Sequence, residues 1–164
     1  MLRDMTARPS TTAHVVVGAV LAVTGVGAAL ADGVVPATAA QHLRNPAWPP
    51  HAKFHDAQYV VMSALLGAGG LRLLTLRSGD PRTHLRQAAA VASVPWLGMW
   101  AALLVPGTAA SDPEFAATEA TPLGLHPQLL LATVMLGGLT AAVGTDEVRA
   151  RRGRRRPLAS VRRS

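Results

Sequence analysis

Residues 13–31 read AHVVVGAVLAVTGVGAALA, an unbroken apolar run without a single Asp, Glu, Lys or Arg. About 20 helical residues reach about 30 Å, the depth of a bilayer's hydrocarbon core. A soluble amphipathic helix of this length would instead carry a polar face. Three later windows repeat the pattern: residues 57–76 (AQYVVMSALLGAGGLRLLTL), 88–105 (AAAVASVPWLGMWAALLV) and 125–145 (LHPQLLLATVMLGGLTAAVGT). The third is short and borrows Arg86 and Gln87 as interfacial ends. The expected fold is therefore all-α, a four-helix transmembrane bundle within one domain, residues 1–145, followed by a basic disordered tail, residues 146–164.

Composition agrees. Of 164 residues, 49% are hydrophobic and only 15% charged, far fewer charges than a soluble domain carries. The charges sit between the windows, and their signs alternate. Arg3, Asp4 and Arg8 give the N-terminal segment a net +1, and Arg77, Asp80, Arg82 and Arg86 give the second connection a net +2. The tail, with Asp146, Glu147 and eight arginines from Arg149 to Arg163, carries +6. The first connection balances Asp32 and Asp56 against Arg44 and Lys53, and the third holds Asp112, Glu114 and Glu119 with no base. Positive segments stay inside, so both termini are expected in the cytoplasm of a multi-pass cell-membrane protein. Ala29-Leu30-Ala31 also fits a signal-peptidase site, although the apolar stretch before it exceeds the usual length of a signal peptide's core. Cysteine is absent, so there is neither a disulfide nor a thiolate to place.

Small residues fill the windows. Gly18, Gly25 and Gly27 in the first, Gly67, Gly69 and Gly70 in the second, and Gly137 and Gly138 in the fourth suit close helix packing. Pro95 interrupts the third window and removes a backbone donor there. Trp96 and Trp100, four apart, are expected on one side of that helix. Arg72 lies near the end of the second window, within snorkelling distance of the interface.

The polar residues of interest are concentrated in the first connection, in WPPHAKFHD (residues 48–56). Proline suits the first turn of a helix, so Pro49-Pro50 reads as a helix start outside the lipid. His51 and His55 then stack one turn apart on the non-cytoplasmic side, and Trp48, Phe54 and Tyr59 form an aromatic collar. Three roles are open to this layer. His51 and His55 with Asp56, His126 or a loop carboxylate form a candidate metal set, although the glutamate of an HExxH helix is missing. His51, His55 and Asp56 are alternatively candidate catalytic residues of a membrane isomerase or other acid–base enzyme, with Trp48, Tyr59, Trp96, Trp100 and His126 as candidate ligand contacts. The third role is a hydrogen-bonded helix start with no ligand at all. No cofactor motif is legible. The preferred expectation is an integral membrane protein that takes a small apolar or lipid-like ligand at its outer face.

The tail suits anionic lipid headgroups; it lacks aromatics and a recognition fold, which argues against nucleic acid. A homo-oligomer would supply the internal symmetry of a transporter that one protomer lacks.

The run Asn45-Pro46-Ala47-Trp48-Pro49-Pro50-His51-Ala52-Lys53-Phe54-His55 resembles the NPxWPPHAKFH signature of a family of small uncharacterised four-span membrane proteins from bacteria and fungi. Some carry an acetyltransferase label that no residue here supports. More distantly, the chain is similar to DoxX-like proteins and to sterol-isomerase-like membrane bundles. The latter resemblance implies His51, His55, Asp56, Trp96 and Trp100 as site residues.

Overall fold

The computed structural model describes residues 8–154 and is all-α among them. Four long helices carry the architecture: α1 (Thr11–Ala28), α3 (Pro50–Thr75), α4 (Pro81–Ala102) and α6 (Pro127–Arg154). Short α2 (Pro36–Ala39) and α5 (Pro113–Ala116) lie in the first and third connections. Helix starts follow local chemistry. Proline occupies the first turn of every helix except α1, where its missing N–H costs nothing. Ser10 caps α1 by accepting from Ala13 N at 3.2 Å. Asp80 caps α4, accepting from Thr83 N at 3.0 Å and from the Thr83 hydroxyl at 2.7 Å.

The helix α1 packs against α3, α4 and α6; α3 also packs on α4, and α4 on α6. Their shared core is narrow and built largely of small side chains, with Val17, Leu21, Leu85, Ala88, Ala92 and Ala132 buried. Large apolar residues such as Leu65 and Val134 point outward instead. That arrangement is uneconomical in water and natural in lipid, where association relies on close van der Waals contact. Three helical segments are long and apolar enough to cross a membrane: Thr11–Val34, Pro50–Thr75 and Pro127–Gly153. The helix α4 differs because Arg82, His84, Arg86 and Gln87 occupy its first turns, leaving 88–102 as its charge-free part; Leu103–Val105 lie beyond its end.

Two helix ends depart from the apolar windows. After Ala28 the first helix does not stop; it widens into a π-helical turn, Ala29–Val34, closed by Val35 N donating to Leu30 O at 2.8 Å. Asp32, a loop charge by sequence, is thereby folded into the helix and buried. At the other face of the molecule α6 runs past Thr145 to Arg154. Asp146 is only 2% exposed there. It accepts from Ser10 N at 2.7 Å and faces Arg82 Nε at 3.4 Å, tying the starts of α1 and α4 to α6. Arg86 adds an ion pair to Glu147 at 2.8 Å beside it. Arg3, Asp4 and the tail beyond residue 154 lie outside the described residues.

Candidate functional site

The signature stretch divides into residues that fasten loops and residues that start a helix. Asn45 is buried; its side-chain amide donates to Glu114 Oε1 at 3.0 Å, and its carbonyl oxygen accepts from Ala47 N at 2.8 Å. Trp48 Nε1 donates to Asp112 Oδ2 at 2.9 Å. These bonds fix the first connection to the third. Pro49 and Pro50 then begin α3 as expected.

His51 and His55 are both exposed, with their Nε2 atoms 3.1 Å apart. His55 Nδ1 lies 3.3 Å from Gln58 Oε1, so His51, His55 and Gln58 form one short polar chain along α3. Phe54 stacks on His51. At about 100° per residue this histidine face continues through Met62 and Leu65, both exposed. Asp56, Tyr59, Ser63, Gly67 and Gly70 fall on a second stripe, roughly a third of a turn away, that faces the other helices. Consecutive residues His55 and Asp56 thus serve opposite environments.

The inner stripe borders a cavity of about 540 Å³ between α1, α3 and α4, with Gln128 and Leu131 of α6 at its edge. Most of its wall is apolar, from residues such as Val23, Leu66, Val94, Pro95 and Met99. Polar groups collect at Asp32, His42, Asp56, Tyr59 and Ser63. The imidazole of His42 is held by Thr38 O, 2.8 Å from Nδ1, while Gln128 Nε2 lies 3.4 Å from Nε2. A carbonyl only accepts, so His42 Nδ1 carries a proton and donates it to Thr38 O. Asp32 Oδ1 stands 3.6 Å from that same Nδ1. Asp56 is within electrostatic range of both Asp32 and His42. Asp56 Oδ2 and Ser63 Oγ are shut off from solvent with no hydrogen-bond partner. Ser63 as a whole is 1% exposed. Groups of this kind are costly unless something fills the space they face.

The remaining expected residues are scattered. Trp96 is buried on the cavity wall, its Nε1 donating to the Thr24 hydroxyl at 3.0 Å across the α1–α4 contact. Trp100 is 37% exposed and does not share that environment. Trp48 lines a neighbouring pocket of about 250 Å³, whose wall shares His42, Met99, Ala102 and Gln128 with the larger cavity. His126 meets Glu119 instead, Nε2 to Oε2 at 3.0 Å, at an angle that makes it an electrostatic contact rather than an aligned hydrogen bond. The Ser111 hydroxyl, and then His126, hold the Glu119 carboxyl below the usual glutamate range against opposing desolvation. Among the described residues, no three His, Asp or Glu side chains are disposed to hold a metal ion.

Asp32 and His42 were not among the residues expected at a site. One signal in the sequence does point to Asp32: the apolar run resumes after it as Gly33-Val34-Val35 before Pro36. An acid interrupting an apolar helix is a candidate functional residue in its own right. His42 carries no such mark, because its placement depends on the turn through α2.

Residues 14–155 match the model of a family of unknown function, DUF6640. No curated protein and no solved structure matches the chain. The chain thus belongs to the DUF6640 family.

Proposed function

We propose that this DUF6640 protein is a four-span integral membrane protein that binds a small, largely apolar, lipid-like ligand between its helices. The observation that carries the reading is the 540 Å³ apolar cavity with buried, unpartnered Asp56 Oδ2 and Ser63 Oγ on its wall. Its size falls in the range of sites for small organic ligands, about 300–1,000 Å³, and a few convergent polar groups in an apolar wall are their usual composition. In this reading the ligand lies with its apolar body against Val94, Met99 and Leu131 and its polar end toward Asp56. The charge alternation of the connections supports an orientation with both termini in the cytoplasm and the His51–His55 face on the opposite side.

Gly98 offers a clean test. It lines the cavity, and a Cβ built on it meets nothing within 4 Å, so Gly98→Leu extends into open space without displacing the backbone. Tritiated 1-adamantanol, a rigid neutral probe, is expected to bind the wild-type protein saturably in phosphatidylcholine nanodiscs after subtraction of empty discs. Gly98→Leu should reduce that binding at least tenfold. Equal saturable binding by the two proteins, or no saturable binding of this or any isosteric adamantane probe, would remove the basis for a ligand cavity.

A further inference from the structure

We infer that the cavity selects a cationic amphiphile, a lipophilic primary amine whose ammonium group binds Asp56 with Asp32 reinforcing the field. This rests on the reading of the cavity as a ligand site and names the chemistry of its polar end. Three observations lead there. First, the wall contains two carboxylates, Asp32 and Asp56, and no lysine or arginine. The basic residues nearest in the sequence, Arg44 and Lys53, are not part of it. Second, the wall sets a single histidine, His42, against these two carboxylates. His42 donates its Nδ1 proton to Thr38 O at 2.8 Å, with Asp32 Oδ1 farther off at 3.6 Å, and one imidazole cannot balance two carboxylates. Third, the acceptors are present without donors. Among the described residues Asp56 Oδ2 receives no hydrogen bond, and Asp32 has only the His42 nitrogen at 3.6 Å, beyond hydrogen-bonding reach.

A buried carboxylate, Asp32, and a half-buried one, Asp56, facing an apolar space are electrostatically incomplete. A bound cation supplies what the chain withholds. An ammonium group brings three N–H donors and no acceptor, matching a wall rich in acceptors: Asp56, Asp32 and the Ser63 hydroxyl oxygen. Tyr59 and Trp96 add aromatic walls, which attract cations over their ring faces. A fatty acid would meet like charge at the same place, and an alcohol would offer a single donor and no charge. The His51–His55 pair, exposed on another face of α3, takes no part.

The test compares three isosteric probes on the full chain in phosphatidylcholine nanodiscs, a zwitterionic surface that does not concentrate amines. Tritiated 1-adamantanamine is displaced by unlabelled amine, by 1-adamantanol or by 1-adamantanecarboxylate. The amine is expected to bind at least tenfold more tightly than the alcohol, and the carboxylate not to compete. Asp56→Asn should cost the amine at least tenfold while leaving alcohol binding, measured directly, within about twofold of wild type. Asp32→Asn should weaken the amine severalfold, and it carries the comparison if Asp56→Asn does not yield monodisperse protein. If amine and alcohol bind equally and both are lost only in Gly98→Leu, the cavity stands and its charge selectivity falls. Tight amine binding that survives both aspartate substitutions also overturns the inference. If no probe saturates, both the inference and the cavity reading fall together.

Discussion

At the scale of single residues, the backbones of α1 and α3 meet on glycine. A Cβ added at Gly67 would stand 2.5 Å from Gly25 Cα, 2.8 Å from Gly25 N and 2.9 Å from Leu21 O. All three are backbone atoms of α1, so no side-chain rotation relieves the clash. Gly69, two residues on, faces open space with nothing within 4 Å. Gly67→Ala is therefore expected to destabilise the protein by about 1–3 kcal/mol, the usual cost of overpacking. Gly69→Ala should be neutral or stabilising by about 0.5–1 kcal/mol, since alanine loses less backbone entropy in a helix. Thermal unfolding of the two variants in the same detergent separates them; equal midpoints would mean that α1 and α3 do not meet at Gly25–Gly67. The sequence shows that these windows are rich in small residues without showing which one is indispensable. Spacing cannot rank Gly67, Gly69 and Gly70, because the ranking depends on where α1 crosses α3.

At the scale of elements, the helices were largely legible and their ends were not. Pro50 and Pro81 each open a helix, for reasons local to the chain. The end of the first helix was hidden, because a π-helical turn comes from packing and not from a terminating residue. That turn decides the site: it carries Asp32 inward, while the sequence draws attention to His51 and His55. Periodicity alone puts Asp56 and His51 on different faces, yet it cannot say which face is inward. The third connection shows the same division between local and tertiary causes. Glu119 is placed by Ser111 and His126, and these partners hold its folded-state pKa below the ordinary glutamate value. A lowered carboxylate contributes stability above its unfolded pKa, and the contribution is lost as pH falls through the folded one. The thermal midpoint is thus expected to decline as pH is lowered from about 7 toward about 3, and Glu119→Gln should flatten part of that decline. An unchanged acid profile in Glu119→Gln would show that the Ser111–Glu119–His126 cluster does not couple to folding.

At the scale of the whole molecule, α4 decides the number of spans. Three segments meet the length and apolarity of a span without help. Were they the only spans, the two termini would lie on opposite sides of the membrane. The charge alternation of the connections argues for four spans and for termini on one side. The packing supplies a physical reason for α4 to join them. Its basic first turns are neutralised where they emerge, Arg82 facing Asp146 at 3.4 Å and Arg86 bonded to Glu147 at 2.8 Å. Its charge-free part, 88–102, then contacts α1, α3 and α6, so its backbone is shielded by protein as well as by lipid. Pro95, which leaves one carbonyl of α4 without its helical donor, is buried on the cavity wall rather than turned to the lipid. A reporter that is active only outside the cytoplasm should be silent when fused after Ser164 and active when inserted at Gly107, in the connection between α4 and α6. Activity after Ser164 together with silence at Gly107 would leave α4 on the cytoplasmic side. The His51–His55 face and the mouth of the cavity would then need a new orientation as well.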